Sequence, residues 1–292
     1  MIKLGFIGAG KVGTALAISL SNKSYPVVVV YDIYPESAEY FAQQISSSKI
    51  AGTLQDVADA ADLVFITTID DQINRVASEI KWRAGQMAVH CSGANSTALL
   101  EPAREQGALV GVFHPGNSFA DKKQAISNIA GNTFDIEAEE PLLSKFKELV
   151  TALDGYWIEV KASDRPIYHV AIELPSLFTM LLAKTAVKMF ATMDIEEEKA
   201  LTLVTSLMRV ALRIMETLGT SAALTGPVDR GDTETVKKHI DGLRRVCPWV
   251  MPLYQELARQ NIPFAIEHGS IDQKKADELK AILEEYYAVS QN

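Results

Sequence analysis

Gly8-Ala9-Gly10-Lys11-Val12-Gly13 stands near the start of the chain, and Asp32 follows at the interval where a carboxylate serves a ribose. In such a string the first glycine makes a tight turn. The second lets the backbone approach a pyrophosphate, and the third lets helix and strand pack closely. The pyrophosphate rests on free N–H groups at the helix start, where the dipole favours negative charge. Asp32 can accept from both ribose hydroxyls of NAD, and it repels the 2′-phosphate of NADP unless a cation compensates. The residues after it, Ile33-Tyr34-Pro35-Glu36, supply none. The expected cofactor is therefore NAD or NADP, with Asp32 favouring NAD. Asp32 or Tyr34 can also fill the turn before a helix that starts at Pro35.

Other polar residues sit where a substrate would meet that cofactor. His114 ends an apolar strand, followed by Pro115. It can give a proton to a carbonyl or take one from an alcohol, or simply hold its loop. Asn117 and Ser118 can orient a carboxylate or carbonyl. His169 lies at the start of a long apolar helix with Glu173 four residues on, hence on the same face, and a pair there would keep the imidazole protonated. Arg230 can grip a carboxylate with two parallel hydrogen bonds, or pair with Asp229 or Asp232. Thr67 and Thr68 should pass beside the pyrophosphate and ribose. Ser92 and Gly93 should line the nicotinamide side, and Asp71 suits a helix N-cap. No metal site is expected: the five histidines are scattered without a metal-binding spacing.

The elements that must position these groups change character along the chain. Strands are expected at Lys3 to Ile7, Val27 to Tyr31, Lys49 to Gly52, Asp62 to Thr67, Gln86 to His90 and Ala108 to His114. Helices are expected between them, at Val12 to Leu20, Pro35 to Ser46, Leu54 to Ala60, Asp71 to Glu79 and Ser96 to Gln106. Unalternating apolar strands suit a parallel sheet covered on both faces. Two more strands, Thr133 to Ile136 and Tyr156 to Val160, flank a helix from about Glu139 to Leu153. From Asp164-Arg165-Pro166 onward the spacing is helical: Arg165 to Met193, Asp194 to Leu218 with Gly219 as its stop, Asp232 to Arg245, Trp249 to Gln260, and Asp272 to Ala288. The fold class is α/β: a doubly wound Rossmann sheet over 1–161, followed by an all-α substrate and dimerisation domain over 162–292.

Composition narrows the class. The chain has 292 residues, 48% of them apolar, and a net charge of −9 with no basic stripe, which argues against nucleic acid. No uninterrupted apolar run reaches membrane length, so no membrane is expected. Met1-Ile2-Lys3 leads straight into a strand, so no leader is expected either. Two cysteines, Cys91 and Cys247, fit reduced thiols in a cytoplasmic protein. The long apolar helices carry more apolar surface than one small domain buries, which points to a homodimer.

A Rossmann domain followed by an all-helical one resembles the 6-phosphogluconate-dehydrogenase-like superfamily, with its ketopantoate, pyrroline-5-carboxylate, prephenate and hydroxyisobutyrate-type oxidoreductases. The chain is more closely similar to a branch of Rossmann-like oxidoreductases with a C-terminal helical domain of unknown function. Three segments carry the resemblance: His90-Cys-Ser92-Gly93-Ala94, Phe113-His114-Pro115-Gly-Asn117-Ser118-Phe119, and Leu224-Thr225-Gly226-Pro227-Val-Asp229-Arg230-Gly231-Asp232. It implies catalysis with NAD(P). Prephenate dehydrogenases carry a His-Pro at a comparable strand end, with the histidine near the reacting hydroxyl. Related dehydrogenases place a lysine near the position of His169. In this branch Tyr-His stands there, usually with an asparagine two turns on, where this chain has Leu177.

Two readings follow. One is an oxidoreductase passing hydride between nicotinamide and a small, anionic carbonyl or hydroxy compound (a 2-oxo acid of the ketopantoate kind) or an imine, with His114 or His169 moving the proton and Arg230 holding a carboxylate. The other is a dinucleotide-binding sensor or scaffold without turnover.

Overall fold

The computed structural model describes residues 1–117, 119 and 121–288. Its first part alternates strand and helix: β1 (Leu4–Ile7), α1 (Lys11–Asn22), β2 (Val27–Tyr31), α2 (Pro35–Gln44), β3 (Lys49–Ile50), α3 (Leu54–Ala60), β4 (Leu63–Ile66), α4 (Asp70–Glu79) and β5 (Met87–His90). A 3-10 turn (Thr97–Leu100) runs into α5 (Glu101–Arg104), then come β6 (Leu109–Pro115), α6 (Lys122–Ser127), β7 (Thr133–Ala138), α7 (Leu142–Ala152) and β8 (Tyr156–Glu159). The strands form one sheet in the order β3-β2-β1-β4-β5-β6-β7-β8. Six run parallel. β7 turns antiparallel against β6, and β8 follows β7 in parallel.

Successive strand residues point to opposite faces, and each face has its own core. Leu4, Phe6, Leu63 and Phe65 join one, with Phe113, Phe134 and Phe146. Ile7, Val64 and Ile66 join the other, with Val57, Ile73 and Leu100. Local signals set several boundaries. Thr53 and Asp56 close a reciprocal capping box at α3. The cap of α4 is the backbone of Ile69, so Asp71 lies inside the first turn and does not cap.

After a turn at Ala162–Asp164 comes α8 (Arg165–Glu173), a wide π-turn (Leu174–Phe178) and α9 (Thr179–Ala191). The single helix expected here is broken because Pro175 has no N–H to give the preceding turn. Just after it, the Ser176 hydroxyl donates to the Ile172 carbonyl at 2.8 Å. The chain divides into two compact units at this turn, 1–178 and 179–292. The first extends past residue 161 because Arg165 is buried against β7.

The second unit comprises α9, α10 (Glu197–Ala222), α11 (Thr233–Val246), α12 (Met251–Glu267) and α13 (Gln273–Ala288). Gly219 breaks α10 with φ +80°. Asp232 caps α11 by accepting from Thr235 N at 3.0 Å. Val236, Ile240, Ile262, Ala276 and Leu279 form the core of α11–α13. α9 and α10 pack together but leave Met180, Leu181, Leu203, Leu207, Leu212 and Leu218 exposed. One helical run, Ala162–Ala191, is long and apolar enough to cross a membrane by length and composition, with an 18-residue window of mean hydropathy 1.5. The expectation of no such segment is corrected to that extent. It looked for an uninterrupted apolar run, whereas this window tolerates charged residues.

Candidate functional site

The sheet's order brings the C-terminal ends of β1, β4, β5 and β6 side by side, the edge where ligands of open α/β sheets bind. Gly8 leaves β1 with φ +104°, and its N–H donates to Tyr31 O at 2.8 Å. A side chain at Gly13 would put its Cβ 2.3 Å from Gly8 O and 2.4 Å from Thr67 Oγ1. Both glycines are thus fixed by the protein's own backbone. Gly10 is not: its φ is an ordinary −71°, and a Cβ there would meet nothing within 4 Å. The space in front of Gly10 suits a ligand that must come close to the backbone.

Ala9, Lys11 and Val12 complete the loop. The first turn of α1 has no side-chain cap and no acidic residue, so its N–H groups face outward for an anion. Thr67 Oγ1 donates to Gly8 O at 2.7 Å and locks the loop, and Thr68 Oγ1 is buried without a protein partner. Asp32 accepts from Ala9 N at 2.6 Å and from Tyr34 N at 2.9 Å. Each carboxylate oxygen keeps a lone pair for a ribose hydroxyl. Tyr34 holds the N-cap position of α2, so Asp32 ties loop and helix together from outside the helix. These residues fit a nicotinamide dinucleotide.

At the β6 end, antiparallel pairing sets His114 opposite Asp135, and Val112 opposite Glu137. Asp135 and Glu137 alternate with Phe134 and Ile136, which are buried in the core, so the two carboxylates share the other face. His114 Nδ1 donates to Asp135 Oδ2 at 2.5 Å. Arg165 Nη1 donates to Asp135 Oδ1 at 2.8 Å, and Arg165 Nε donates to Glu137 Oε2 at 2.5 Å. Asp135 and Arg165 are both fully buried. Glu137 Oε1 also accepts from Thr97 N and Oγ1, and Arg104 donates to Thr97 Oγ1. Gly93 lies under two imidazoles: a Cβ there would sit 2.7 Å from His169 Cδ2 and 2.8 Å from His114 Cε1. The ring centroids are 6.3 Å apart, edge to face. Tyr168, half-buried beside them, has its phenol pushed up to about 12 by burial and then by the charge of Asp135.

A second network stiffens the β5 end. Ser92 Oγ donates to Asp70 Oδ2 at 2.6 Å, and Asn95 Nδ2 donates to the same oxygen at 2.9 Å. His90 is fully buried; its Nδ1 accepts from Ser92 N and its Nε2 donates to Ser96 O. Burial holds it below the usual histidine range. Burial and the charge of Asp135 push the Cys91 thiol up.

His114, His169, Ser92 and Gly93 therefore gather at one place. The pairing expected between His169 and Glu173 does not form: no hydrogen bond or ion pair joins them among the described residues. The helix opens into the π-turn directly after Glu173. Asn117 spends its amide on Asn128 O at 2.9 Å and braces its loop. Ser118 lies outside the described residues. Arg230 belongs to the second unit, where it is exposed and forms no ion pair with Asp229 or Asp232. Sequence reading missed Asp135, Glu137, Arg165 and Tyr168. The available signal was a strand, Thr133–Ala138, whose second face is acidic although its first is wholly apolar.

Residues 1–115 match the family described as a Rossmann-like domain, and residues 132–261 match the domain of unknown function DUF2520. The chain joins these two domains. It is 29% identical over 117 residues to human mitochondrial 3-hydroxyisobutyrate dehydrogenase, a match covering 38% of the chain and 34% of that enzyme, so the chain spans about a third of the relative's length. A Bacteroides fragilis protein provisionally named NADP oxidoreductase superposes with a TM-score of 0.73 at 23% identity, over 89% of this chain and 97% of that one. The 1-pyrroline-5-carboxylate reductase of Streptococcus pyogenes gives 0.61 at 17% identity, over 96% and 98%. These two likenesses are of fold.

Proposed function

We propose that the chain is an NAD(P)-dependent oxidoreductase acting on a small carbonyl, hydroxy or imine compound. The observation that carries this reading is the pairing, on one sheet edge, of a glycine cradle open at Gly10 with two histidines packed over Gly93. When bound, the cofactor supplies or accepts a hydride at its nicotinamide ring. The protein's part is to hold, orient and move a proton. The outward-facing N–H groups of Lys11 and Val12 hold the pyrophosphate, and Asp32 holds the ribose. Ser92 and Gly93 leave room for the nicotinamide. His114, with Nδ1 engaged by Asp135, has Nε2 to give a proton to a carbonyl oxygen or imine nitrogen, or to take one from an alcohol or amine. His169 lines the same space. The names borne by the relatives support an alcohol–carbonyl or an amine–imine couple.

Asp32 supports NAD over NADP. The exposed apolar residues of α9 and α10 support a homodimer formed through them, and light scattering giving a monomer mass would remove that part. The test of the function is titration of the protein with NADH and NADPH, followed by energy transfer from tryptophan, then a screen of 2-oxo acids and cyclic imines for cofactor oxidation. Binding of NADH with turnover is expected. Binding without turnover across the screen favours a sensor, and binding of neither cofactor overturns the reading.

A further inference from the structure

The Asp135 carboxylate has no freedom in its hydrogen bonds. It is fully buried, with Oδ1 taken by Arg165 Nη1 and Oδ2 by His114 Nδ1, and the Tyr168 hydroxyl donates to it as well. An ionised carboxylate only accepts, and a guanidinium only donates. The ring nitrogen facing Asp135 must therefore carry the hydrogen. Arg165 is pinned in turn by Glu137 and by the Gly93 carbonyl, and Glu137 by Thr97. The chain of contacts runs from α5 through the 3-10 turn, β7 and α8 to a single imidazole, and neither Asp135 nor Arg165 can rotate without stranding a buried charge.

We propose that Asp135, clamped by Arg165, is a positioning residue: it fixes neutral His114 as the Nδ1–H tautomer and leaves Nε2, on the Gly93 side, as the nitrogen that exchanges a proton with substrate. This rests on the reading of His114 as the proton-handling group. Proton balance is simple. In the reducing direction Nε2 of the imidazolium releases its proton to the substrate oxygen or nitrogen as hydride arrives at carbon, and the ring is left neutral with Nδ1–H still on Asp135. The reverse reaction returns the proton to Nε2. Asp135 takes no part in the transfer; its oxygens stay engaged by Arg165 and His114.

The clamp makes a sharp forecast for Asp135→Asn. An asparagine offers one accepting oxygen and one donating amide. Arg165 can only donate, so the oxygen must turn to Arg165 and the NH2 to His114 Nδ1. The opposite rotamer sets donor against donor in a buried site. His114 Nδ1 then has to accept, and the neutral ring switches to the Nε2–H tautomer with no free acceptor for the substrate's proton.

The experiment is nitrogen-15 NMR of the histidine rings at a pH where His114 is neutral, in the whole chain, with the His114 signals assigned by their loss in His114→Gln. The expected result is a protonated Nδ1 in the unmutated protein and a protonated Nε2 in Asp135→Asn. Finding Nε2–H in the unmutated protein overturns the proposal even if the variant does not fold, and so does an unchanged tautomer in a folded variant. For a 2-oxo acid or imine that the screen turns over, Asp135→Asn should lower kcat by about 10²–10⁴-fold, the usual worth of a general acid or base, with KM and NADH affinity unchanged. In a His114→Gln background it should cost nothing further. The expected tautomers with undiminished turnover would refute the role given to His114, while loss of NADH binding by the unmutated protein would refute the function as a whole.

Discussion

Gly10→Ala and Gly13→Ala should separate binding from folding within one loop. At Gly13 the added carbon falls 2.3 Å from the Gly8 carbonyl oxygen and 2.4 Å from Thr67 Oγ1, and the first of these is backbone that cannot swing away. Relief requires α1 to move off β1, an overpacking cost of about 1–3 kcal/mol. At roughly 2–4 °C per kcal/mol for a unit of this size, the melting midpoint should fall by about 2–12 °C. At Gly10 the backbone is already in a region open to any residue, and nothing lies within 4 Å. Alanine there should leave the midpoint unchanged, or raise it slightly by restricting the unfolded chain. Its methyl occupies the space assigned to the pyrophosphate, so the same 1–3 kcal/mol appears in binding, as a rise in NADH Kd of about 5- to 150-fold. Differential scanning fluorimetry without ligand and tryptophan energy transfer with NADH read the two quantities independently. Gly10→Ala binding NADH as tightly as the parent, or melting as early as Gly13→Ala, would refute the assignment of that space to a ligand.

Three further outcomes follow from the geometry. Arg165→Met leaves Asp135 and Glu137 facing each other without a cation, so it should cost about 3–5 kcal/mol, seen as a large drop in the thermal midpoint; an unchanged midpoint would show that the buried ion pairs hold nothing. Asp32→Asn should weaken NADH binding, because ribose and Ala9 N both lose a charged acceptor, and should shift the NADPH-to-NADH preference by about tenfold or more toward NADPH; an unchanged ratio in paired titrations would reduce Asp32 to a turn residue. His90 has a lowered folded-state pKa, so between that value and its unfolded value of about 6.5 the unfolded chain binds more protons. Its contribution to stability is complete above about pH 6.5 and is lost as pH falls below it. Urea midpoints measured from pH 5 to 8 should show this slope, and His90→Gln should flatten it; an equal slope in both would assign the acid sensitivity elsewhere.

The glycine loop, Asp32, the six parallel strands and the helical second half were legible in the sequence because each signal lies within a few residues: a turn glycine, an apolar run, a cap such as Asp232. Pro175 was equally visible, but a helix that opens into a π-turn there and resumes at Thr179 was not. Glu173 was misjudged because helical spacing says which residues share a face and not which groups face them from another element.

The histidine site shows the same limit more fully. Sequence alone determined that His114 ends a strand at the binding edge and that a dinucleotide loop stands at the start of the chain. Only the tertiary structure decided what holds that histidine. Asp135 stands 21 residues beyond His114, and Arg165 stands 30 beyond Asp135. They meet because β7 reverses direction and pairs with β6 in the register that sets His114 against Asp135. A shift of one residue would have turned both carboxylates into the apolar core. That register is set by packing Phe134 and Ile136 against Phe113 and Phe146, a choice made between distant parts of the chain that no local pattern encodes.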